Sequence, residues 1–272
     1  MVEGSGRSAA PVVLGVALVV LTASALLGAL LVQRAPGLLD VEPPPPLDAA
    51  ATPLRLPPEV PDPGGYSFLA AAPDGVPVRW DPCRPVHVVV RPQDEPPGGR
   101  EAVTAALEEV GEASGLVFVV DGATDEAPSE SRRAIDPGRY GARWSPVLVA
   151  WSDPEEYPPL TGAVGVAGPA AGVGGSTGTW VTGTVVLDAA WFAANLPQDI
   201  GARRAEAVLS HELAHLVGLG HSRDPFSLMS PAYQSVYGFS LSDRAGLARL
   251  GRGGCAVVHE ARAGSSVDPP AL

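Results

Sequence analysis

Between His211 and His221 the chain reads HELAHLVGLGH. Only 5 histidines occur in 272 residues, and three of them fall inside this stretch. The spacing dictates a local shape. A helix carries residues i and i+4 on one face, so His211 and His215 face the same way about one turn apart. Gly218 suits the left-handed conformation that ends a helix. Gly220 keeps the chain pliable, and His221 returns from outside the helix. Imidazole nitrogens so arranged can hold one Zn²⁺ at about 2.0–2.1 Å, and three protein ligands leave a fourth position open, the pattern of a catalytic zinc rather than a structural one. Glu212 stands next to the first ligand, where it can act as general base toward a water at that position. A bare HExxH is modest evidence, because helices carry such residues by accident. The full pattern H-E-x-x-H-x-x-G-x-x-H is far more specific.

The rest of the chain reads as one α+β domain with extensions. HVVVRP (87–92), LVFVVDG (116–122), PVLVAWSD (146–153), AVGVAGP (163–169) and TWVTGTVVLD (179–188) read as strands. GGREAVTAALEEVGEASG (98–115) places Val103, Ala106, Leu107 and Val110 at helical spacing, and residues 200–218 form a second strongly helical segment. Residues 123–144 and 170–178 read as loops. The order strand, helix, four strands, helix predicts an α+β or mixed α/β domain over 66–260.

The amino-terminal end differs in kind. Residues 9–32 form a 24-residue stretch without a charge, long enough to span a bilayer. We expect residues 1–34 to be an uncleaved signal-anchor, with a removed signal peptide as the alternative. Residues 35–65, with VEPPPPLDAA and LRLPPEVPDPGG, read as an extended proline-rich linker. The tail 261–272 reads as disordered. The two cysteines, Cys83 and Cys255, flank almost the whole domain, and in an exported chain their default reading is a disulfide. The pair needs an oxidising compartment, so the carboxy-terminal bulk is expected outside the cell membrane, or secreted if the signal is removed. The formal net charge of −12 argues against nucleic acid as a partner.

At this point a resemblance becomes specific. The stretch His211–His221 resembles the zinc-binding signature of the metzincin metalloproteases. Ser222 after the third histidine and Met229 eight residues beyond it resemble the matrixin branch, the matrix metalloproteases and their bacterial relatives. Pro231-Ala232-Tyr233 is similar to that family's segment walling the S1′ pocket. Leu241-Ser242-Asp243, Gly246-Leu247 and Leu250 are similar to its final helix, and Ser240-x-x-Asp243 is a helix capping box in its own right. The detailed resemblance covers about residues 200–251. It implies a zincin domain with a twisted mixed sheet, two long helices and a carboxy-terminal helix. It implies one catalytic Zn²⁺ held by His211, His215 and His221, with Glu212 as base, Met229 in a Met-turn beneath the metal, and Pro231 and Tyr233 at the substrate pocket. It also implies an edge strand that pairs with an extended substrate, for which chain order nominates Ala163–Gly168.

The chain departs from the animal pattern in places. No propeptide cysteine motif is present, and Cys83 is the one candidate for a zinc-blocking thiol besides its role as partner of Cys255. The remaining histidines, His87 and His259, are far apart, so a second, structural zinc is not expected. Asp-containing loops leave room for Ca²⁺ but carry no readable Ca²⁺-loop motif. Ser230 stands where many matrixins have Tyr. The function expected is a zinc-dependent endopeptidase, tethered to the membrane and acting on protein or peptide substrates. Two alternatives stay open: a catalytically silent, zinc-stabilised interaction module, and a zinc amidase acting on a non-protein amide.

Overall fold

Short runs of β-branched residues build the centre of the protein. In a computed structural model, residues 48–171, 179–231 and 236–256 are described. The chain divides into two units, 1–42 and 43–272, and every described residue lies in the second. The expected membrane span and tail lie outside the described residues. Among the described residues, no helix is long and apolar enough to cross a membrane.

Six strands form the main sheet: β2 (Arg79–Trp80), β3 (Val86–Arg91), β4 (Phe118–Ala123), β5 (Val147–Ser152), β6 (Gly165–Ala171) and β7 (Thr179–Asp188). Their order is β2-β7-β5-β3-β4, all parallel, while β6 lies antiparallel on β7. Every residue of β5 is buried, as expected of a central parallel strand covered on both faces. Side chains alternate across it. Val149 and Trp151 join the main core with the helices, whereas Leu148 and Ala150 join Val89 in a smaller cluster on the other face, capped by Tyr140.

Two long helices pack on the main-core side: α1 (Gly99–Ser114) and α4 (Asp199–Val217). Val103, Ala106, Leu107 and Val110 form the buried stripe of α1, as their spacing predicted. The final helix α5 (Leu241–Gly251) starts at the full capping box of Ser240 and Asp243, where each side chain bonds the other's backbone. The α+β class, mixed sheet, two long helices and carboxy-terminal helix therefore match the expectation.

Several elements carry no sequence signal. Two-residue strands β1 (Ser67–Phe68) and β8 (Leu219–Gly220) pair antiparallel with each other. Two further helices, α2 (Pro137–Tyr140) and α3 (Ala189–Asn195), are short. A stretch of two to seven residues contains too few periods to declare itself. Asp188 caps α3 by accepting from the Trp191 N–H at 2.9 Å.

The proline-rich segment brings a different result. Residues 48–65 were expected to act as a spacer, yet they run docked along the domain. Ala50 N–H donates to the Cys83 carbonyl at 2.8 Å, and Leu54 N–H to the Pro82 carbonyl at 2.9 Å. Asp48 contacts the His87 ring at 2.7 Å. An extended chain without a core of its own still has non-proline backbone groups to satisfy, and here the domain satisfies them. The Cys83–Cys255 disulfide is formed, with a Cα–Cα distance of 5.2 Å. No free cysteine remains among the described residues, so Cys83 is not available as a zinc-blocking thiol.

Candidate metal centre

The helix α4 runs unbroken through the HExxH stretch and stops where the sequence says it should. Gly218 takes φ 109°, and its N–H closes the last turn on the Ala214 and His215 carbonyls. That left-handed conformation is cheap for glycine and costly for other residues. Immediately beyond it, β8 carries the chain back toward the helix, and His221 follows.

The three histidines converge. His211, His215 and His221 each offer a ring nitrogen, and these atoms lie within 4.8 Å of one another. The rings of His211 and His215 are 4.6 Å apart and those of His215 and His221 4.7 Å. Backbone carbonyls set the orientation of two rings. His211 Nδ1–H donates to Leu228 O at 2.8 Å, and His215 Nδ1–H donates to Leu219 O at 2.7 Å. Each bond places the proton on Nδ1 and leaves Nε2 with a free lone pair, the arrangement found around metal-ligating histidines. His215 Nε2 then faces His221 Nε2 at 3.1 Å. Tetrahedral ligation at about 2.0–2.1 Å would separate two such nitrogens by roughly 3.3 Å. The donor set and spacing therefore fit a zinc ion.

The electrostatics suit a cation site. Burial pushes the His215 imidazole down to about 4, helped by the neighbouring His211. Burial also lowers His211. Both rings are neutral at physiological pH, as ligation requires. Glu212 is 8% exposed, and burial raises its carboxyl to about 7, opposed by an N–H bond from Ala167 of β6. Its carboxyl group lies against β6. A Cβ built on Gly165 would stand 2.8 Å from Glu212 Cγ, closer than real Cβ contacts allow. Residue 165 must therefore be glycine for Glu212 to sit where it does.

Next to Leu228, whose carbonyl holds His211, stands Met229, which is completely buried. Its carbonyl accepts from the Ser222 N–H at 2.8 Å, tying the turn to the third histidine's loop. Asp243 of α5, also fully buried, holds the same turn. It accepts from Ser227 Oγ at 2.6 Å and from Leu228 N–H at 2.9 Å, besides capping its own helix. The Leu228 carbonyl in turn orients His211. Sequence reasoning placed Asp243 in a capping box and missed this second duty. No local sequence signal marks it, because its partners Ser227 and Leu228 stand 16 and 15 positions away.

Pro231 is exposed beside this turn, and Tyr233 lies outside the described residues. The nominated edge strand is β6, which runs Gly165–Ala171 rather than Ala163–Gly168. It pairs with β7 alone among the described strands and packs against α4 beside Glu212. His87 is not part of that cluster; it stands in β3, bonded to Asp121 and Asp48, and His259 lies outside the described residues.

The matrixin family model matches residues 161–250, from just before β6 to the end of α5, and supports a matrixin-like metalloprotease domain there. No curated protein matches the chain. Among solved structures, one described as "GM1 bound form of the ECX AB5 holotoxin" is similar at 13% identity and a TM-score of 0.39, over 62% of this chain and 81% of that one.

Proposed function

We propose that the protein is a zinc-dependent endopeptidase, tethered to the membrane by residues 1–34 and acting outside the cell. The single observation that carries the reading is the convergence of three histidines with a buried glutamate against the edge strand β6, in the region that matches matrixins. His211, His215 and His221 would hold the ion. A bound zinc would supply Lewis acidity toward water and the scissile carbonyl.

Each protein group has a task. Glu212 takes a proton from the attacking water on its carboxylate and returns it to the leaving amine nitrogen, so the proton balance closes within one turnover. Gly165 leaves the space Glu212 occupies. The open edge of β6 offers backbone groups to an extended peptide, as in strand addition. By the resemblance of their segment to matrixins, Pro231 and Tyr233 would wall the pocket for the residue after the scissile bond, which we expect to be apolar. Asp243 and the Met229 turn keep His211 aimed through the Leu228 carbonyl.

The test is cleavage of a peptide library by the full-length chain in detergent, read by mass spectrometry. We expect cleavage that a chelator abolishes. Glu212→Gln should lower it by about 10²–10⁴-fold while leaving bound zinc stoichiometric. Cleavage that survives the variant would refute the mechanism. Stoichiometric zinc with no cleavage of any peptide would favour the silent module, and turnover of cell-wall fragments alone would favour the amidase.

A further inference from the structure

The third histidine differs from the other two in support. His211 and His215 ride on a 19-residue helix, and carbonyls orient both rings. His221 lies past the helix end, in a loop, and is exposed. Besides the backbone bond from Ser222 to Met229, what holds that loop comes from about 150 positions earlier in the chain. The β1 strand pairs antiparallel with β8, in the register Ser67 to Gly220 and Phe68 to Leu219. Leu69 N–H donates to the Gly218 carbonyl at 2.9 Å. Ser67 Oγ–H donates to the carbonyl of His221 itself at 2.7 Å. On the other side of His221, Ser222 Oγ–H donates to the Gly65 carbonyl at 3.0 Å.

The segment is itself anchored. Ser242 Oγ–H on α5 donates to the Gly64 carbonyl. Tyr66 O–H donates to Asp62 at 2.8 Å, and the Tyr66 and Phe68 rings pack 5.4 Å apart. Gly220 lets the strands close, since a Cβ there would stand 2.5 Å from Ser67 Oγ. None of residues 62–69 lies in the stretch that matches matrixins.

We infer that residues 62–69 are a brace for the third metal ligand, with Ser67 and Ser222 as positioning residues that clamp the His221 backbone from both sides. The inference rests on the zinc reading of the three histidines. Its physical basis is preorganisation. A loop ligand that must be ordered on binding weakens the site, and groups that hold ligands in place commonly contribute 10–100-fold in metal affinity.

The experiment measures Zn²⁺ affinity of the full-length chain by competition with a chromophoric chelator, together with the visible absorption of the Co²⁺-substituted protein. Ser67→Ala and Ser222→Ala should each weaken Zn²⁺ binding by about 10-fold and shift the Co²⁺ bands, while the melting temperature of the metal-free protein stays within a few degrees. Ser67→Thr, which keeps the hydroxyl, should restore both readouts. His221→Ala sets the affinity of a two-histidine site. Wild-type affinity and unchanged Co²⁺ spectra in both serine variants would overturn the brace. Failure of the unaltered chain to bind zinc, or indifference to His221→Ala, would overturn the zinc reading instead.

Discussion

Glu212 owes its place to a residue that has no side chain. Gly165 lies against its Cγ and carboxyl group, so the strand β6 and the helix α4 approach closely at the point where chemistry is proposed. Gly165→Ala should therefore displace the carboxylate without touching the histidines. We expect kcat to fall by about 10²-fold, the scale of a 1 Å misplacement, with zinc content unchanged; equal loss of zinc would show that the effect is general unfolding. Asp243 is the second decisive residue. Its carboxyl oxygens accept from Ser227 Oγ, Leu228 N–H, Ser240 N–H and Ser240 Oγ, and Asp243→Ala would leave buried donors without partners. Urea denaturation should show a loss of at least about 2 kcal/mol.

At the scale of elements, the sheet carries a pH-sensitive link to the docked segment. His87 of β3 bonds Asp121 of β4 through Nδ1 and Asp48 through Nε2, both at 2.7 Å, and Arg143 also holds Asp121 at 2.7 Å. Burial opposes protonation of His87, but the hydrogen bonds and charges of Asp121 and Asp48 outweigh it and raise the ring above its usual value. The folded state thus binds this proton more tightly than the unfolded chain. Its stabilisation is fully present below about pH 6.5 and is lost as pH rises through the raised folded value. The wild-type melting temperature should exceed that of His87→Gln most at pH 6, and the gap should shrink toward alkaline pH. A gap that widens above pH 7 would contradict the link.

For the molecule as a whole, the Cys83–Cys255 disulfide joins the start of the sheet to the end of α5 across 172 positions. It closes a long loop around nearly all the core. Replacing both cysteines by alanine should cost about 2–5 kcal/mol, measured by denaturant midpoint with and without reductant. Reductant should destabilise the parent chain and leave the double variant unchanged. The same bond fits the proposed extracytoplasmic location, where thiols oxidise.

Sequence alone determined the three histidines, the helix that presents two of them and the glycine that stops it, because metal ligation and helix geometry impose short, rigid spacings. It also determined the long strands and helices, whose periodicity spans enough residues to read. The Cys83–Cys255 pair was legible because only two cysteines exist. Tertiary structure alone decided the rest. The duty of Asp243 at the Met229 turn, the contact of Gly165 with Glu212, and the pairing of β1 with β8 beside His221 join residues 15 to 16, 47 and more than 150 positions apart. No local pattern encodes such contacts, since they arise only when packing of the core brings distant segments together, and it is they that turn a metal-binding spacing into a held site.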